Sequence, residues 1–192
     1  DVFNKEDARR ATAECLGVLD AIDKNKLDAN QSIKLTSLGL KIDHDFCLGN
    51  IKEIMTKAKS LNIFVRIDME DSTCTDETIR LFEEANSFYP NSGIVLQSYL
   101  RRTYDDAARL IEKGTNFRLC KGIYIEPAEI AFKEKQEVRD SYLKILKLML
   151  EKGAYVGIAT HDEFLIDGAY KLLEELKVPN NKYEFQMLLG VR

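Results

Sequence analysis

The feature that most constrains this fold is the alternation of short apolar runs with longer amphipathic segments along the whole sequence. The centres of the apolar runs lie roughly 24 to 38 residues apart, which is the length of one strand, one helix and two loops. We predict strands at residues 32–36, 64–69, 93–99, 117–122, 155–160 and 183–188. Helical spacing of apolar residues predicts helices at 5–22, 48–60, 75–88, 103–114, 128–152 and 163–177.

Strands that alternate with helices pair in parallel through right-handed crossovers, so this α/β fold is either a doubly wound sheet or a barrel. Candidate helix ends agree with the assignment, because Thr75 is a possible N-cap and Gly114 and Gly153 stand where helices should stop. No linker or low-complexity segment interrupts the pattern. We therefore predict one catalytic domain over residues 1–192.

The distribution of polar residues favours the barrel. A barrel enzyme carries its chemistry at the C-terminal ends of several strands, whereas an open sheet concentrates it at one switch point after a glycine-rich turn. Nearly every predicted strand ends in ionisable or amide groups: Lys34, Asp68 and Glu70, Gln97, Arg118 and Lys121, Thr160, His161 and Asp162, and Glu184 and Gln186. Neither a GxGxxG nor a GxxxxGK[ST] motif occurs.

Several of these residues have both a functional and a structural interpretation. Lys34, predicted inside an apolar strand, would enter a confined space, where it holds a substrate carboxylate, forms a Schiff base or pairs with Asp68 or Glu70. Asp68 and Glu70 are two residues apart, so their carboxylates face the same side of the chain and require cationic partners. The Gln97 amide either meets the polar edge of a ring or binds nearby backbone.

The stretch RLCKGIY, residues 118–124, is the densest candidate. Arg118 and Lys121 face a common region, Gly122 permits close approach of a planar ligand, and Tyr124 adds an aromatic wall. The alternative is an ordinary strand with solvated ends.

Composition argues against several other functions. The net charge is −4 and no Lys/Arg cluster marks a nucleic-acid binder. The four cysteines form no CxxC pair, so we predict reduced thiols and no zinc site. His44 lies in an acidic loop and is predicted to be solvated, and two separated histidines predict no metal site. The polar start and the short apolar runs predict an intracellular, soluble protein.

Read together, the strand ends resemble the proline dehydrogenase family, and in particular its single-function bacterial enzymes. The matching stretches are SIKLTSLGL (32–40), FVRIDMEDS (64–72), GIVLQSYLRRT (93–103), RLCKGIYIEP (118–127), ATHD (159–162) and YEFQMLLGVR (183–192). Each motif alone is modest. Six of them in this order, at barrel spacing, are specific.

The resemblance implies a parallel (β/α)8 TIM-type barrel with FAD at its C-terminal mouth, of which this chain holds about six βα units. It implies oxidation of L-proline to Δ1-pyrroline-5-carboxylate, the first step of proline catabolism, with electrons passed to a quinone. It also implies a cytoplasmic enzyme that associates peripherally with the inner face of the cell membrane.

The resemblance also implies roles for individual residues. Asp68 and Arg118 would lie closest to catalysis, with Arg118 near flavin N5. Proline would be bound by Lys34 at its carboxylate, by Tyr124 on the substrate side and by Leu188 at its ring. The cofactor would be contacted by Met69, Gln97, Arg118, Lys121, Gly122 and Ile123, and its phosphate region by Thr160 and His161.

One departure from the family pattern concerns the ends of the barrel. The family barrel starts with a strand before the first helix and finishes with a strand and helix that carry an arginine pair for the proline carboxylate. We expect a truncated barrel here, whose open edges favour self-association. Arg101 and Arg102 follow a different strand and do not replace that pair. The alternatives are a Schiff-base lyase that uses Lys34 and an inactive barrel fragment.

Overall fold

The computed structural model describes residues 2–190, in which strands and helices alternate as predicted. The strands are β1 Gln31–Ile33, β2 Val65–Ile67, β3 Ser92–Gln97, β4 Asn116–Cys120, β5 Val156–Ala159 and β6 Tyr183–Gln186. The helices are α1 Lys5–Lys24, α2 His44–Leu61, α3 Thr75–Phe88, α4 Thr103–Ile111, α5 Lys135–Glu151 and α6 Glu163–Glu175. Val191 and Arg192, the end of the last resembling stretch, lie outside the described residues. The chain divides into two compact units, Asp1–Ile94 and Val95–Arg192.

In the N-terminal unit, β1 pairs in parallel with β2, and β2 pairs in parallel with the first half of β3. All three residues of β2 are buried, including Arg66, whose guanidinium stacks on the Phe64 ring at 4.7 Å. Helix α1 packs on α2, and α2 packs on α3. Burial of the apolar faces of these helices against the short strands is the main stabilising contribution in this unit.

Helix α2 begins four residues before the predicted start at residue 48. The Asp43 side chain accepts a hydrogen bond from the Phe46 N–H at 2.8 Å, which satisfies one of the backbone donors at the helix start. The prediction that His44 is solvated is wrong. Its imidazole lies between the carboxylates of Glu77 and Glu84, at 3.4 and 3.2 Å, and only 17% of the side chain is exposed.

In the C-terminal unit, the second half of β3 runs beside β4, since the Ser98 N–H donates to the Cys120 carbonyl at 2.8 Å. Strand β4 pairs in parallel with β5, and β5 pairs in parallel with β6. Alternate residues in β4 separate the two faces: Phe117 and Leu119 are fully buried, whereas Arg118 is only partly buried. The polar face of these strands is therefore the one that carries Arg118.

The predicted helix 128–152 begins only at Lys135, where a capping box between Glu134 and Glu137 starts α5. The preceding segment instead forms an antiparallel bridge in which Ala131 pairs with Leu100. Tertiary pairing with the backbone after β3 therefore replaces the local helical hydrogen bonds that the apolar spacing suggested.

The described residues show no disulfide, since Cys15, Cys47, Cys74 and Cys120 are free thiols in residues 2–190. Burial raises the pKa of the Cys47 thiol to about 12. Over the same range, no group of histidine, cysteine and acidic side chains has the arrangement of a metal site. No helix between residues 2 and 190 is both long and apolar enough to cross a membrane.

Candidate functional site

In the N-terminal unit, the predicted residues Lys34 and Asp68 form an ion pair. Lys34 follows β1 and Asp68 follows β2, which is the paired neighbour of β1. The Nζ atom of Lys34 is 2.6 Å from Oδ2 of Asp68, with 56% of the lysine side chain exposed against 16% of the aspartate. The prediction that Lys34 enters a confined space is wrong, because it lies past the end of the strand, at the start of a short 3-10 helix, Leu35–Leu38.

The ion pair bears on the chemistry that Lys34 can perform. Schiff-base formation is favoured when a lysine lies in an apolar or cationic environment, whereas Lys34 lies beside a carboxylate with 56% of its side chain exposed. An ammonium group has three N–H donors, so contact with Asp68 is compatible with binding of a second carboxylate. The geometry favours a carboxylate-binding lysine over a nucleophilic one.

The two carboxylates predicted to face one side have different partners. Buried Glu70 accepts hydrogen bonds from the Thr36 backbone N–H at 3.0 Å and from the Thr36 hydroxyl at 2.7 Å. Glu70 thus stabilises the turn after β1 through neutral donors. The buried residue Met69 lies between Asp68 and Glu70.

In the C-terminal unit, Arg118 is bound by a residue of β6. Its Nε–H donates to Oε1 of Gln186 at 2.5 Å, and Nε2 of Gln186 donates to Oε1 of Glu184 at 2.5 Å. At the end of β3, Gln97 is buried, and its backbone carbonyl accepts from the Thr103 hydroxyl at 2.6 Å. An amide therefore lies at the end of β3, and a guanidinium lies in the middle of the neighbouring strand β4.

Gly122 lies directly against an aromatic ring. Its φ of +107° lies in the region that favours glycine, and a Cβ atom built there would be 2.2 Å from Cδ1 of Tyr99. The planar group that packs on this glycine is thus the ring of Tyr99, a buried residue that follows β3. Burial raises the pKa of Tyr99.

Lys121 is one of two cations that bind Asp162, the N-cap of α6. Its Nζ is 3.3 Å from Oδ2 of Asp162, and Arg139 of α5 binds both carboxylate oxygens, at 3.0 and 2.7 Å. Hydrogen bonds from Arg139, together with those from Lys121, lower the pKa of Asp162 to about 2. Two cations share one anion, so the three side chains carry one excess positive charge, and the potential at this point favours an anion.

Arg139 was missed at the sequence level. It lies within the predicted helix 128–152, where an arginine among other charged residues has the pattern of a solvated face. No local signal distinguishes it, since its partner Asp162 is 23 residues away along the chain.

Two further predicted residues, His161 and Leu188, meet each other. The backbone N–H of Leu188 donates to Nε2 of His161 at 2.9 Å, so the Leu188 side chain projects from a backbone held at the end of β5. Buried Thr160 accepts from the Asp162 N–H at 3.1 Å. The side chains of Ile123 and Leu188 are 87% and 70% exposed.

Comparison with known proteins places the chain in a family. The sequence model described as proline dehydrogenase matches residues 1–191. The chain belongs to the proline dehydrogenase family. It is 40% identical over 191 residues to "Proline dehydrogenase 2" of Bacillus subtilis (strain 168), a match that covers 100% of this chain and 63% of that protein. It is 33% identical over 189 residues to "Proline dehydrogenase 1" of the same strain, covering 98% and 63%. The chain thus spans less than two thirds of the length of these relatives.

Solved structures of larger proteins share the fold. Proline utilization A (PutA) from Bdellovibrio bacteriovorus, inactivated by N-propargylglycine, matches with a TM-score of 0.88 at 24% identity, over 97% of this chain and 24% of that one. PutA from Corynebacterium freiburgense matches with a TM-score of 0.85 at 24% identity, over 100% and 23%. These matches confirm the predicted fold class, the parallel (β/α)8 type, represented in residues 2–190 by six parallel strands alternating with helices.

Proposed function

We propose that this member of the proline dehydrogenase family contributes the catalytic domain of an enzyme that oxidises L-proline to Δ1-pyrroline-5-carboxylate with FAD as cofactor. The observation that carries the proposal is the family match over residues 1–191. In this proposal, residues 1–192 belong to a single catalytic domain.

The donors of the C-terminal unit suit FAD chemically. The polar edge of an isoalloxazine ring presents both acceptors and a donor, which an amide such as Gln97 can match, and the diphosphate is an anion. Lys121 and Arg139 supply the excess positive charge that an anion needs. The proposed cofactor contacts are Met69, Gln97, Arg118, Lys121, Gly122, Ile123, Thr160 and His161.

Proline would be bound through its charge and its ring. Lys34 would bind the carboxylate, with Asp68 holding the ammonium in place at 2.6 Å. Tyr124 and the exposed side chain of Leu188 would contact the ring, which is apolar apart from its nitrogen. Fixing both ends of a small substrate orients its reacting C–H bond, which contributes to the rate by restricting motion before the reaction.

Arg118 would act through its charge. FAD, when bound, supplies the hydride acceptor. A guanidinium close to that acceptor would stabilise negative charge as it develops, and the partly buried hydrogen bond to Gln186 would keep the cation in place. Asp68 and Arg118 are therefore the residues that we propose lie nearest the reacting atoms.

The electron acceptor that we propose for this enzyme is a quinone. Quinones with long side chains reside in the bilayer, so a cytoplasmic enzyme that reaches them associates peripherally with the inner face of the cell membrane. The family resemblance supports this part of the proposal.

The absorbance spectrum of the purified protein tests the proposal. A flavin spectrum that bleaches on anaerobic addition of L-proline is the expected result, with Arg118→Met slowing the bleaching by about a hundredfold or more. Lys52→Ala, an exposed change on α2, is the control that should leave it unaltered. Borohydride trapping of a carbonyl substrate on Lys34 would instead support a lyase. A colourless, self-associated protein to which FAD does not bind would support an inactive fragment.

A further inference from the structure

One row of residues crosses the three C-terminal strands and contains a gap. The parallel register aligns Arg118 of β4 with Gly157 of β5, and Gly157 with Glu184 of β6. Residues aligned in this way point to the same face of a sheet, so a side chain is missing at the centre of the row. Gln186, two residues after Glu184, lies on the same face of β6.

The side chain of Gln186 fills the gap above Gly157. A Cβ atom built on Gly157 would be 2.6 Å from Nε2 of Gln186 and 2.9 Å from its Cδ. The glutamine therefore extends across the backbone of β5 to reach Arg118, one strand further on. Any residue larger than glycine at position 157 would occupy the same space.

The polar atoms fix the orientation of the amide. The Nε atom of arginine can only donate, so the Gln186 oxygen must face it, and the NH₂ group is then directed to Glu184. The result is a chain in which a cation donates to an amide and the amide donates to a carboxylate. Each bond polarises the next, which strengthens both.

A planar guanidinium is oriented when its Nε–H is held, because the plane contains all five donors. We propose that Gln186 is a positioning residue that sets the orientation of Arg118. Gly157 leaves space for the Gln186 side chain, and Glu184 accepts a hydrogen bond from its amide. The inference rests on the proposed function in assigning a catalytic consequence to that orientation. A residue that merely fills the space above Gly157 would not need its amide or its partner Glu184.

Two single changes should disrupt the position of Arg118 by different means. Gln186→Leu keeps the volume and removes the hydrogen bonds, whereas Gly157→Ala keeps every polar group and displaces the amide. Gly49→Ala is the matched control, because a Cβ atom there meets nothing within 4 Å. All three proteins are compared with the parent by thermal unfolding.

The first readout needs no cofactor. In flavin-free protein, the Nε–H resonance of Arg118, assigned by its loss in Arg118→Lys, should exchange slowly with water in the parent and in Gly49→Ala. It should broaden or disappear in Gln186→Leu and Gly157→Ala. Unchanged resonances in both variants would overturn the inference, whatever the activity of the protein.

The second readout is flavin reduction in a single turnover. Both variants should reduce the rate constant by about tenfold or more while the dissociation constant for FAD stays within about threefold. Retention of the full rate in both variants, in a protein whose Arg118→Met variant is slow, would also overturn the inference. If proline did not reduce the flavin of the parent protein, the proposed function would be contradicted. The Nε–H resonance of Arg118 would still test whether Gln186 orients that side chain.

Exchange of the two side chains separates positioning from packing. Gln186→Glu alone places two carboxylates side by side, and it should impair flavin reduction. The pair Glu184→Gln plus Gln186→Glu conserves charge, since the new carboxylate accepts from Arg118 and the new amide donates to that carboxylate. The pair should recover the Nε–H resonance and most of the rate. Failure of the pair to improve on Gln186→Glu would count against the hydrogen-bonded chain.

Discussion

At the scale of single residues, the same side chain serves structure and proposed chemistry together. Lys34 and Asp68 neutralise each other at the ends of neighbouring strands, and both are candidates for substrate contact. The carboxylate of Glu70, two residues further along the chain, instead accepts hydrogen bonds from Thr36. The difference follows from position: Asp68 directly follows the strand, whereas Glu70 is buried in the turn.

Lys34→Ala should weaken binding of a proline analogue that retains the carboxylate by about tenfold or more, because a charge-assisted hydrogen bond is lost. Binding of FAD should change by less than about twofold, since the proposed cofactor contacts do not include Lys34. Titration of the flavin absorbance with the analogue measures the first, and fluorescence titration with FAD measures the second. Equal losses would argue against a carboxylate contact.

At the scale of elements, strand positions and helix faces follow closely from apolar periodicity, but helix ends depend on individual caps. Helix α3 has the predicted bounds, 75–88. Helices α2 and α5 begin elsewhere, because Asp43 caps the first and tertiary pairing of Ala131 shortens the second. A periodic pattern identifies the buried face without specifying the first hydrogen-bonded turn.

Asp43→Ala should lower the free energy of unfolding by about 1 kcal/mol, because the Phe46 N–H at the start of α2 loses its acceptor. Urea denaturation measures the change. The control is Asp45→Ala, which removes an exposed acidic residue from the same turn and leaves the cap in place. If Asp45→Ala lowered the free energy of unfolding by the same amount, the cause would be the loss of a negative charge near the helix N-terminus rather than the loss of the cap.

At the scale of the whole molecule, the chain belongs to the proline dehydrogenase family, has a parallel (β/α)8-type fold and spans 63% of the length of the B. subtilis relatives. The two compact units divide the predicted site residues: Lys34, Asp68 and Met69 belong to the first, and the remainder belong to the second. The ion pairs of the second unit affect its stability as a function of pH, and Asp162 is the clearest case.

The pKa of Asp162 is lowered from 3.8 to about 2 in the folded chain. A carboxyl group with a depressed folded pKa stabilises the fold above its unfolded pKa, and that stabilisation is lost as pH falls from about 4 towards 2. The contribution is about 2 kcal/mol. Asp162→Asn should therefore be less stable near neutral pH and should show a smaller loss of stability in that acidic window.

Urea denaturation at a series of pH values measures this dependence. Asp140→Asn, which changes an exposed carboxylate on α5, serves as the control and should retain the slope of the parent. An unchanged slope in Asp162→Asn would mean that the Lys121 and Arg139 contacts do not stabilise the carboxylate in solution.

The sequence by itself determined the alternation of strands and helices, the parallel pairing, the position of every strand to within about three residues, and the polar strand ends that mark the family. The tertiary structure decided which partners those polar residues have. Arg139 reaches Asp162 from a helix, His44 lies between two glutamates, and Gln186 crosses the glycine of β5 to bind Arg118. Periodicity reports which side of an element is buried, a local property. The identity of a partner depends on register between segments far apart in the chain, which no local pattern contains.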